Sequence, residues 1–212
     1  MIRPGCFISI EGVEGVGKST NLAVVQSLLT KAGISFITTR EPGGTPVAEK
    51  VRDILLDKHN DEMTNTTELM LVFAARAQHV ETLIKPALSR GDWVICDRFT
   101  DSTYAYQGGG RGMSPDLIQQ IDQVALQQYQ PDVTLLLDLP VEIGLQRASN
   151  RGELDRFERE SEAFFRRVRD VFLARARQQS ERVVVIDASG SLDEVSESIV
   201  TAIHAVIERW QA

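Results

Sequence analysis

The sequence predicts a single α/β domain built on a five-stranded parallel sheet with helices on both faces. Three observations predict it. Short apolar and β-branched runs alternate with segments of helical periodicity along the whole chain. The runs are mostly continuous rather than alternating, as strands covered on both faces require. The chain has 212 residues, enough to bury a large core without disulfides or metals and short for two full domains.

The elements follow in order. Cys6–Ile10 reads as the first strand, and the helix over Ser19–Ala32 ends at Gly33, a C′ glycine. Ser35–Thr39 is the second strand. Pro46–Leu56 carries Val47, Val51, Ile54 and Leu55 at helical spacing, and Glu68–Arg90 does the same with Leu69, Val72, Phe73, Val80 and Leu83 before stopping at Gly91. Trp93–Cys96 is the third strand. Gly108-Gly109-Gly110 reads as the most flexible spot. Ser114-Pro115 caps a helix with proline at its first position. Val133–Leu137 and Val183–Ile186 complete the sheet, and Ser191-x-x-Glu194 is a capping box for the last helix. Right-handed crossovers then make the sheet parallel, and ligands bind beyond the carboxyl ends of its strands. The stretches to inspect are Glu11–Thr20, Arg40–Thr45, Asp97–Thr103, Asp138–Pro140 and Asp187–Gly190.

Composition excludes several classes. With a net charge of −7 and a pI near 5.1, the overall field does not suit duplex DNA or an anionic membrane. Cys6 and Cys96 sit in separate apolar runs and read as reduced core residues. No window approaches the roughly 18 apolar residues of a membrane span, and Glu11 and Glu14 interrupt any leader-like stretch, so the cytoplasm is the expected compartment. Ten arginines fall between Arg147 and Arg182, interleaved with acids. That pattern reads as helix surface with some functional residues inside it.

Gly12-Val13-Glu14-Gly15-Val16-Gly17-Lys18-Ser19 fits G-x-x-x-x-G-K-[ST], with a strand before it and a helix after it. The glycines let backbone N–H groups turn inward around phosphate oxygens, as the helix N-terminus also does. Lys18 reaches the β- and γ-phosphates, and the Ser19 hydroxyl can ligate Mg²⁺. The motif, extended to Thr20, is the expected ATP site. It specifies a nucleoside triphosphate and little more. The chain has no Asn-Lys-x-Asp guanine signature and is short for a motor, which leaves mainly small-molecule kinases.

Four further segments narrow the class. They are Arg40-Glu41-Pro42-Gly43-Gly44-Thr45 with Arg52 behind it, Leu71-Val72-Phe73-Ala74-Ala75-Arg76, Asp97-Arg98-Phe99 with Ser102, and Tyr104-Ala105-Tyr106-Gln107-Gly108. Together with Glu11-Gly12-Val13-Glu14-Gly15, and in this order, they closely resemble the thymidylate kinases along essentially the whole chain. The resemblance implies the P-loop nucleoside monophosphate kinase fold, with residues 1–212 as one domain, a lid segment near residues 144–158, and transfer of the ATP γ-phosphoryl group to dTMP with Mg²⁺. It also implies residue roles. Phe73 would stack on thymine, Arg76 would bond a thymine carbonyl, and Gln107 would face the base edge near N3. Tyr106 would sit against the deoxyribose, Pro42 near the 5-methyl group, and Glu14 on the 3′-OH side. Arg98, aided by Arg40 and Arg52, would hold the acceptor phosphate, with Glu41 and Ser102 also in this site. Asp97 would sit near the magnesium and its waters.

Taken singly, most of these residues say less. Phe73 shares an apolar stripe with Leu69 and Val80, Arg76 reads as a solvated helix face, and Tyr106 and Gln107 read as loop residues. Arg98 is stronger unaided, because an arginine at a strand's carboxyl end points at the ligand crevice. Phe99 departs from the tyrosine common in the family and loses one possible polar contact.

The segment from Arg147 to Glu158 resembles the lid of nucleoside monophosphate kinases. Thymidylate kinases carry a catalytic arginine either in the P-loop or in the lid. Gly15 stands at the P-loop position, so Arg151 is expected to supply the charge, with Arg147, also expected at ATP, and Arg156 as alternates. Arg159, Arg166, Arg167, Arg169, Arg175 and Arg177 read as surface pairs. Ala188-Ser189-Gly190 would pass near adenine through its backbone. The partners implied are dTMP, ATP and a second copy of the chain, with no nucleic acid and no membrane. Two alternatives remain: a deoxynucleoside kinase using Glu41 or Asp97 as base, and a P-loop protein that holds ATP without turnover.

Overall fold

A computed structural model describes residues 4–60, 62–149 and 155–211. Five strands, β1 (Phe7–Glu11), β2 (Phe36–Arg40), β3 (Trp93–Asp97), β4 (Val133–Asp138) and β5 (Val183–Asp187), form one all-parallel sheet in the order β2-β3-β1-β4-β5. Each strand lies within one residue of its expected bounds.

Side-chain alternation on the inner strands explains their continuous apolar sequence. Ile8 and Ile10 of β1, with Trp93 and Ile95 of β3, enter one core together with Val25 and Leu29 of α1 (Lys18–Lys31). Phe7, Val94 and Cys96 enter the core on the other face. Both faces are covered, so the inner strands are apolar apart from Ser9 and Thr134, whose buried hydroxyls bond each other at 2.7 Å, and the acids at the strand ends. The outer strand β5 departs from that expectation, since Val184 and Val185 are 38% and 46% exposed at the sheet edge. Both cysteines are buried and free.

The other helices are α2 (Pro46–Leu56), α3 (Asn65–His79), α4 (Lys85–Ser89), α5 (Thr100–Thr103), α6 (Pro115–Leu126), α7 (Val141–Ser149) and α8 (Glu162–Gln178) between the strands, and α9 (Leu192–Gln211) after β5. The expected capping box closes reciprocally: Ser191 N donates to Glu194 Oε2 at 2.8 Å, and Glu194 N donates to Ser191 Oγ at 3.3 Å. Gly33 takes the left-handed conformation (φ 68°) expected of a C′ residue. Ser114 precedes α6 as expected, but its hydroxyl makes no capping bond.

Two expectations are corrected. The long helix over Glu68–Arg90 is continuous but not uniformly α: α3 passes through a π-helical turn at Val80–Ile84 into α4. Pro86 is the physical reason. It lacks an N–H and its ring crowds the carbonyl one turn back, which a wider turn relieves. The glycine run is not a flexible spot either. Tyr104–Gly110 forms a second π-helical turn pressed against α8. A Cβ on Gly110 would lie 2.4 Å from the Phe164 ring, and one on Gly109 would lie 2.7 Å from Val171 Cγ2. These glycines are needed for close approach.

Candidate active site

The phosphate loop leaves β1 at Glu11 and turns through Gly12, Gly15 and Gly17 at φ of 140°, 73° and 87°. Gly17 caps α1 without a side-chain bond, so the first N–H groups of the helix remain for an anion. Val13 and Val16 are buried in the core, which leaves the backbone of the loop for a ligand. Lys18 Nζ donates to the carbonyls of Gly12 and Val13, both at 3.2 Å, and lies 3.9 Å from Glu14 Oε2. Burial, helped by Arg98, holds the Lys18 pKa below its usual value against the pull of Glu14.

Gly15 has a tertiary reason to be glycine. A Cβ there would lie 1.9 Å from the carbonyl oxygen of Gly144 on α7, and a Cβ on Gly144 would lie 2.5 Å from the carbonyl oxygen of Glu14. The loop and α7 touch backbone to backbone, which leaves no room for an arginine at position 15.

Beyond β3, Arg98 stands in the left-handed region (φ 70°), uncommon for a residue other than glycine and concentrated at functional sites. Its neighbours hold it there. Arg98 N donates to Ile10 O at 3.0 Å. The fully buried Glu11 accepts from Phe99 N at 2.7 Å and from Ser102 Oγ at 2.5 Å. Burial, followed by nearby Asp101, pushes the Glu11 pKa up to about 7, against its hydrogen-bond donors and Arg98. The Arg98 guanidinium donates to Gly12 O at 3.0 Å, to Ser102 Oγ at 3.2 Å and to Glu14 Oε1 at 2.8 Å, and lies over the Tyr106 ring at 4.9 Å. Burial opposes its charge, but Glu14 and the other acids around it raise its pKa above the arginine norm. Glu14 Oε1 also accepts from the Tyr106 hydroxyl at 2.8 Å. Burial raises the Glu14 pKa, but Arg98, Lys18 and this hydroxyl bring it below the usual value.

These groups line one cavity of about 240 Å³. The loops after β1, β2 and β3 meet there, as expected for a parallel sheet. Glu14, Gly15, Gly17, Lys18, Ser19, Arg40, Glu41, Pro42, Arg52, Arg76, Asp97, Arg98, Ser102, Tyr106 and Gln107 all border it. Thr20 is exposed and does not. Arg52 donates to Pro42 O at 2.8 Å, and its pKa is lowered by burial and by Arg40 beside it.

Among the expected acceptor residues Phe73 is the exception, and its expected role is corrected. It lies in the second core with Leu69, Val80 and Phe99 and does not border the cavity; Val72, one residue earlier, does. Phe73 instead flanks Arg76, whose guanidinium carbon lies 5.3 Å from its ring centre and 5.2 Å from that of Phe99. Arg76 is no solvated face, being 3% exposed. It donates to Glu41 Oε2 at 2.5 Å, Thr103 Oγ1 at 2.8 Å and Phe99 O at 3.2 Å. The other Glu41 oxygen lies 2.9 Å from His79 Nδ1, and His79 Nε2 lies 2.7 Å from Thr39 Oγ1. Phe99 packs edge-on against Phe7 at 4.9 Å, so its missing hydroxyl would face core, not ligand.

The lid arginines separate. Arg151 lies outside the described residues. Arg147 is exposed on α7 and does not border the cavity. Arg156 is buried: Nε donates to Leu55 O at 2.9 Å, and Nη2 lies 2.6 Å from Glu68 Oε2. These contacts tie Arg156 to α2 and α3, which corrects its reading as an alternate catalytic group. Arg175 is corrected too. It is no surface residue, since its side chain is 12% exposed, lies 3.8 Å over the Tyr104 ring and pairs with the buried Asp101 at 2.6 Å.

Sequence reasoning missed Leu56, Val72, Thr103, Asp155, Phe157 and Glu158, which also border the cavity. Val72 and Thr103 fall inside the segments singled out in the sequence, and Asp155, Phe157 and Glu158 inside the expected lid segment; Leu56 carried no signal.

The sequence profile described as thymidylate kinase matches residues 10–199. Thymidylate kinase of Pseudomonas fluorescens is 53% identical over 205 residues, covering 97% of this chain and 98% of the relative. That of Chromohalobacter salexigens is 54% identical over 211 residues, covering 99% and 100%. The crystal structure of thymidylate kinase from Ehrlichia chaffeensis superposes with a TM-score of 0.77 at 32% identity, covering 96% of this chain and all of that one. Matches of this length and identity, over a sheet, loop and cavity already arranged for phosphate chemistry, establish that the chain belongs to the thymidylate kinase family.

Proposed function

We propose that the chain transfers the γ-phosphoryl group of ATP to dTMP, giving dTDP and ADP, with the residues described above as its machinery. The observation that carries this reading is the Arg98–Glu14 contact at 2.8 Å. It joins the phosphate loop to the loop after β3 at one cavity, so two phosphate-bearing ligands can meet there. The acceptor is itself a phosphate, largely dianionic at neutral pH, and needs no general base. Positioning and neutralisation of charge suffice, through Lys18 for the donor and through Arg98, Arg40 and Arg52 for the acceptor. Arg151 is the lid residue we assign to the transition-state charge.

The rival deoxynucleoside kinase needs a carboxylate to take a hydroxyl proton. Both oxygens of Glu41 are engaged by Arg76 and His79, which disfavours that role.

The residues fit a magnesium ion. Asp97 Oδ1 is buried without a hydrogen-bond partner, and Asp97 and Ser19 border the same cavity. No group of three or more acidic, histidine or cysteine side chains among the described residues forms a metal cage. Mg²⁺ suits this sparse set, because it draws most of its ligands from phosphates and water. When bound it would neutralise phosphate charge, with Ser19 and Asp97 holding it.

A second copy would pack on α2, α3 and α6, which lie together and expose Val47, Ile54, Met70 and Val124. No helix among the described residues is long and apolar enough to cross a membrane, and we place the work of the enzyme in the cytoplasm, where free nucleotides are made.

The test is ADP release with ATP, Mg²⁺ and a panel of acceptors. dTMP should give the highest kcat/KM, dUMP a lower one, and AMP, GMP, CMP and thymidine poor ones. A better acceptor than dTMP overturns the pocket assignment. ATP binding without ADP release on any acceptor overturns the enzyme reading.

A further inference from the structure

Glu68 sits on α3, two turns before Arg76, fully buried and outside the cavity lining. Three separate side chains converge on it. Oε1 accepts from Gln107 Nε2 at 2.8 Å and from Arg111 Nε at 3.2 Å. Arg156 Nη2 and Arg111 Nη2 lie 2.6 and 3.2 Å from Oε2, ion-pair contacts whose angles are too poor for hydrogen bonds. Burying a carboxylate is unfavourable unless it is compensated, and here two guanidiniums compensate it. Arg111 and Arg156 also stack on Phe157, with guanidinium carbons 5.6 and 4.6 Å from its ring centre. Glu68 is therefore held from two sides before it meets Gln107.

The contact with Gln107 has a chemical consequence. The two ends of a glutamine amide are alike in shape and opposite in hydrogen bonding. A carboxylate between two arginines offers only acceptors, so it takes the NH₂ end. The carbonyl end of Gln107 is then the one left for a ligand in the cavity that the residue lines. Arg76 lines the same cavity, and Nη1 and Nη2 each spend one bond on Thr103 and Phe99, which leaves each a second N–H. The base pocket thus presents a donor and an acceptor. A pyrimidine with a 4-oxo group and an N3–H matches that order. A 4-amino pyrimidine, with a donor at C4 and an acceptor at N3, reverses it.

We propose that Glu68 is a positioning residue that fixes the orientation of the Gln107 amide and so makes the pocket select a 4-oxo over a 4-amino pyrimidine. The inference rests on the function proposed above. Glu68→Gln offers Gln107 a donor as well as an acceptor and frees its amide to turn. The dTMP-to-dCMP ratio of kcat/KM should fall at least about tenfold, through a higher KM for dTMP, with kcat on dTMP within about threefold of wild type. An unchanged ratio in Glu68→Gln, with the ratio lost in Gln107→Leu, overturns the role of Glu68 and leaves the base-reading role of Gln107 standing. A ratio unchanged in both variants overturns the base-reading assignment itself. A second measurement on the wild-type enzyme applies whether or not Glu68→Gln folds. With ¹⁵N-glutamine labelling, and Gln107 assigned from its absence in Gln107→Leu, the Gln107 side-chain NH₂ should stay protected from exchange, with little shift, when dTMP is added. Loss of protection or a large shift of that NH₂ on dTMP binding shows that it has left Glu68, and overturns the proposal.

Discussion

Arg98 and Glu14 are paired at 2.8 Å across the two loops that bound the cavity, so the cation assigned to the acceptor phosphate already has an anionic partner. Arg98 is held in a left-handed backbone conformation by bonds to Ile10, Gly12 and Ser102. The guanidinium is thus placed before substrate arrives. Arg98→Ala is expected to weaken dTMP binding by about 1.5–3 kcal/mol, the worth of a hydrogen bond to a charged group. It should also lower kcat and leave ATP affinity nearly unchanged. Calorimetric titration of the folded variant checks this, and an unaltered dTMP isotherm would remove Arg98 from the acceptor site.

Gly15 and Gly144 touch so closely that the loop cannot accept a side chain. Gly15→Arg, which would move the catalytic charge into the P-loop, is expected to misplace the loop instead. The replacement combines a positive φ of 73° with a Cβ 1.9 Å from a carbonyl oxygen. Tm should fall by roughly 5 °C or more, and ATP binding should drop with it. A variant that melts and turns over like the wild type would show that α7 yields easily.

The lid arginines should separate in their readouts. Arg151→Ala is expected to lower kcat by at least about a hundredfold with little change in dTMP Kd, because the charge acts when the lid closes. Arg156→Ala should lower Tm first, since it frees Leu55 O and removes an ion pair from buried Glu68. Arg175→Ala should cost about 1–3 kcal/mol of stability, because Asp101 keeps Arg182 but loses its other guanidinium. Its kcat should stay near normal. Denaturant melts alongside steady-state rates resolve the three variants. Normal turnover in both Arg151→Ala and Arg147→Ala would show that the lid does not supply the catalytic charge.

Glu11 predicts a pH dependence of stability. Its folded pKa of about 7 lies above the 4.5 of an ordinary glutamate. Between those values the folded state binds more protons than the unfolded state, so stability falls as pH rises from 4.5 through 7 and the loss is complete above 7. At about 1.36 kcal/mol per pH unit, the loss is on the order of 3 kcal/mol. Glu11→Gln, which stays neutral like the protonated wild type, should be close to it in stability at low pH and flatter across the window. Urea melts of both proteins at pH 5, 6, 7 and 8 test this. Parallel curves would assign the pH dependence to other groups.

The sheet, the phosphate loop and the strand ends that carry the site were legible in the sequence, because each depends on local rules. A strand buried on both faces is mostly apolar and pairs any polar side chain it keeps, a phosphate-binding turn needs glycines at fixed spacing, and a parallel sheet gathers its loops at one end. The resemblance added the acceptor residues, and the structure brings nearly all of them to one cavity. Which side chain of a helix turns toward that cavity is a tertiary matter. Val72 and Phe73 are adjacent and both apolar, so their sequence does not phase α3 against its neighbours. Packing puts Phe73 in the core beside Arg76 and leaves Val72 at the cavity. Arg76 and Arg175 looked exposed, and Arg156 looked catalytic, because an arginine gives no sign in sequence of a carboxylate far along the chain. Glu41, Glu68 and Asp101 supply those carboxylates from 35, 88 and 74 residues away by chain number. The glycines of the second π-helical turn suggested freedom, and α8 removes it by packing against them. Local pattern determines which elements form, whereas burial and charge pairing are decided by partners that only the folded chain brings together.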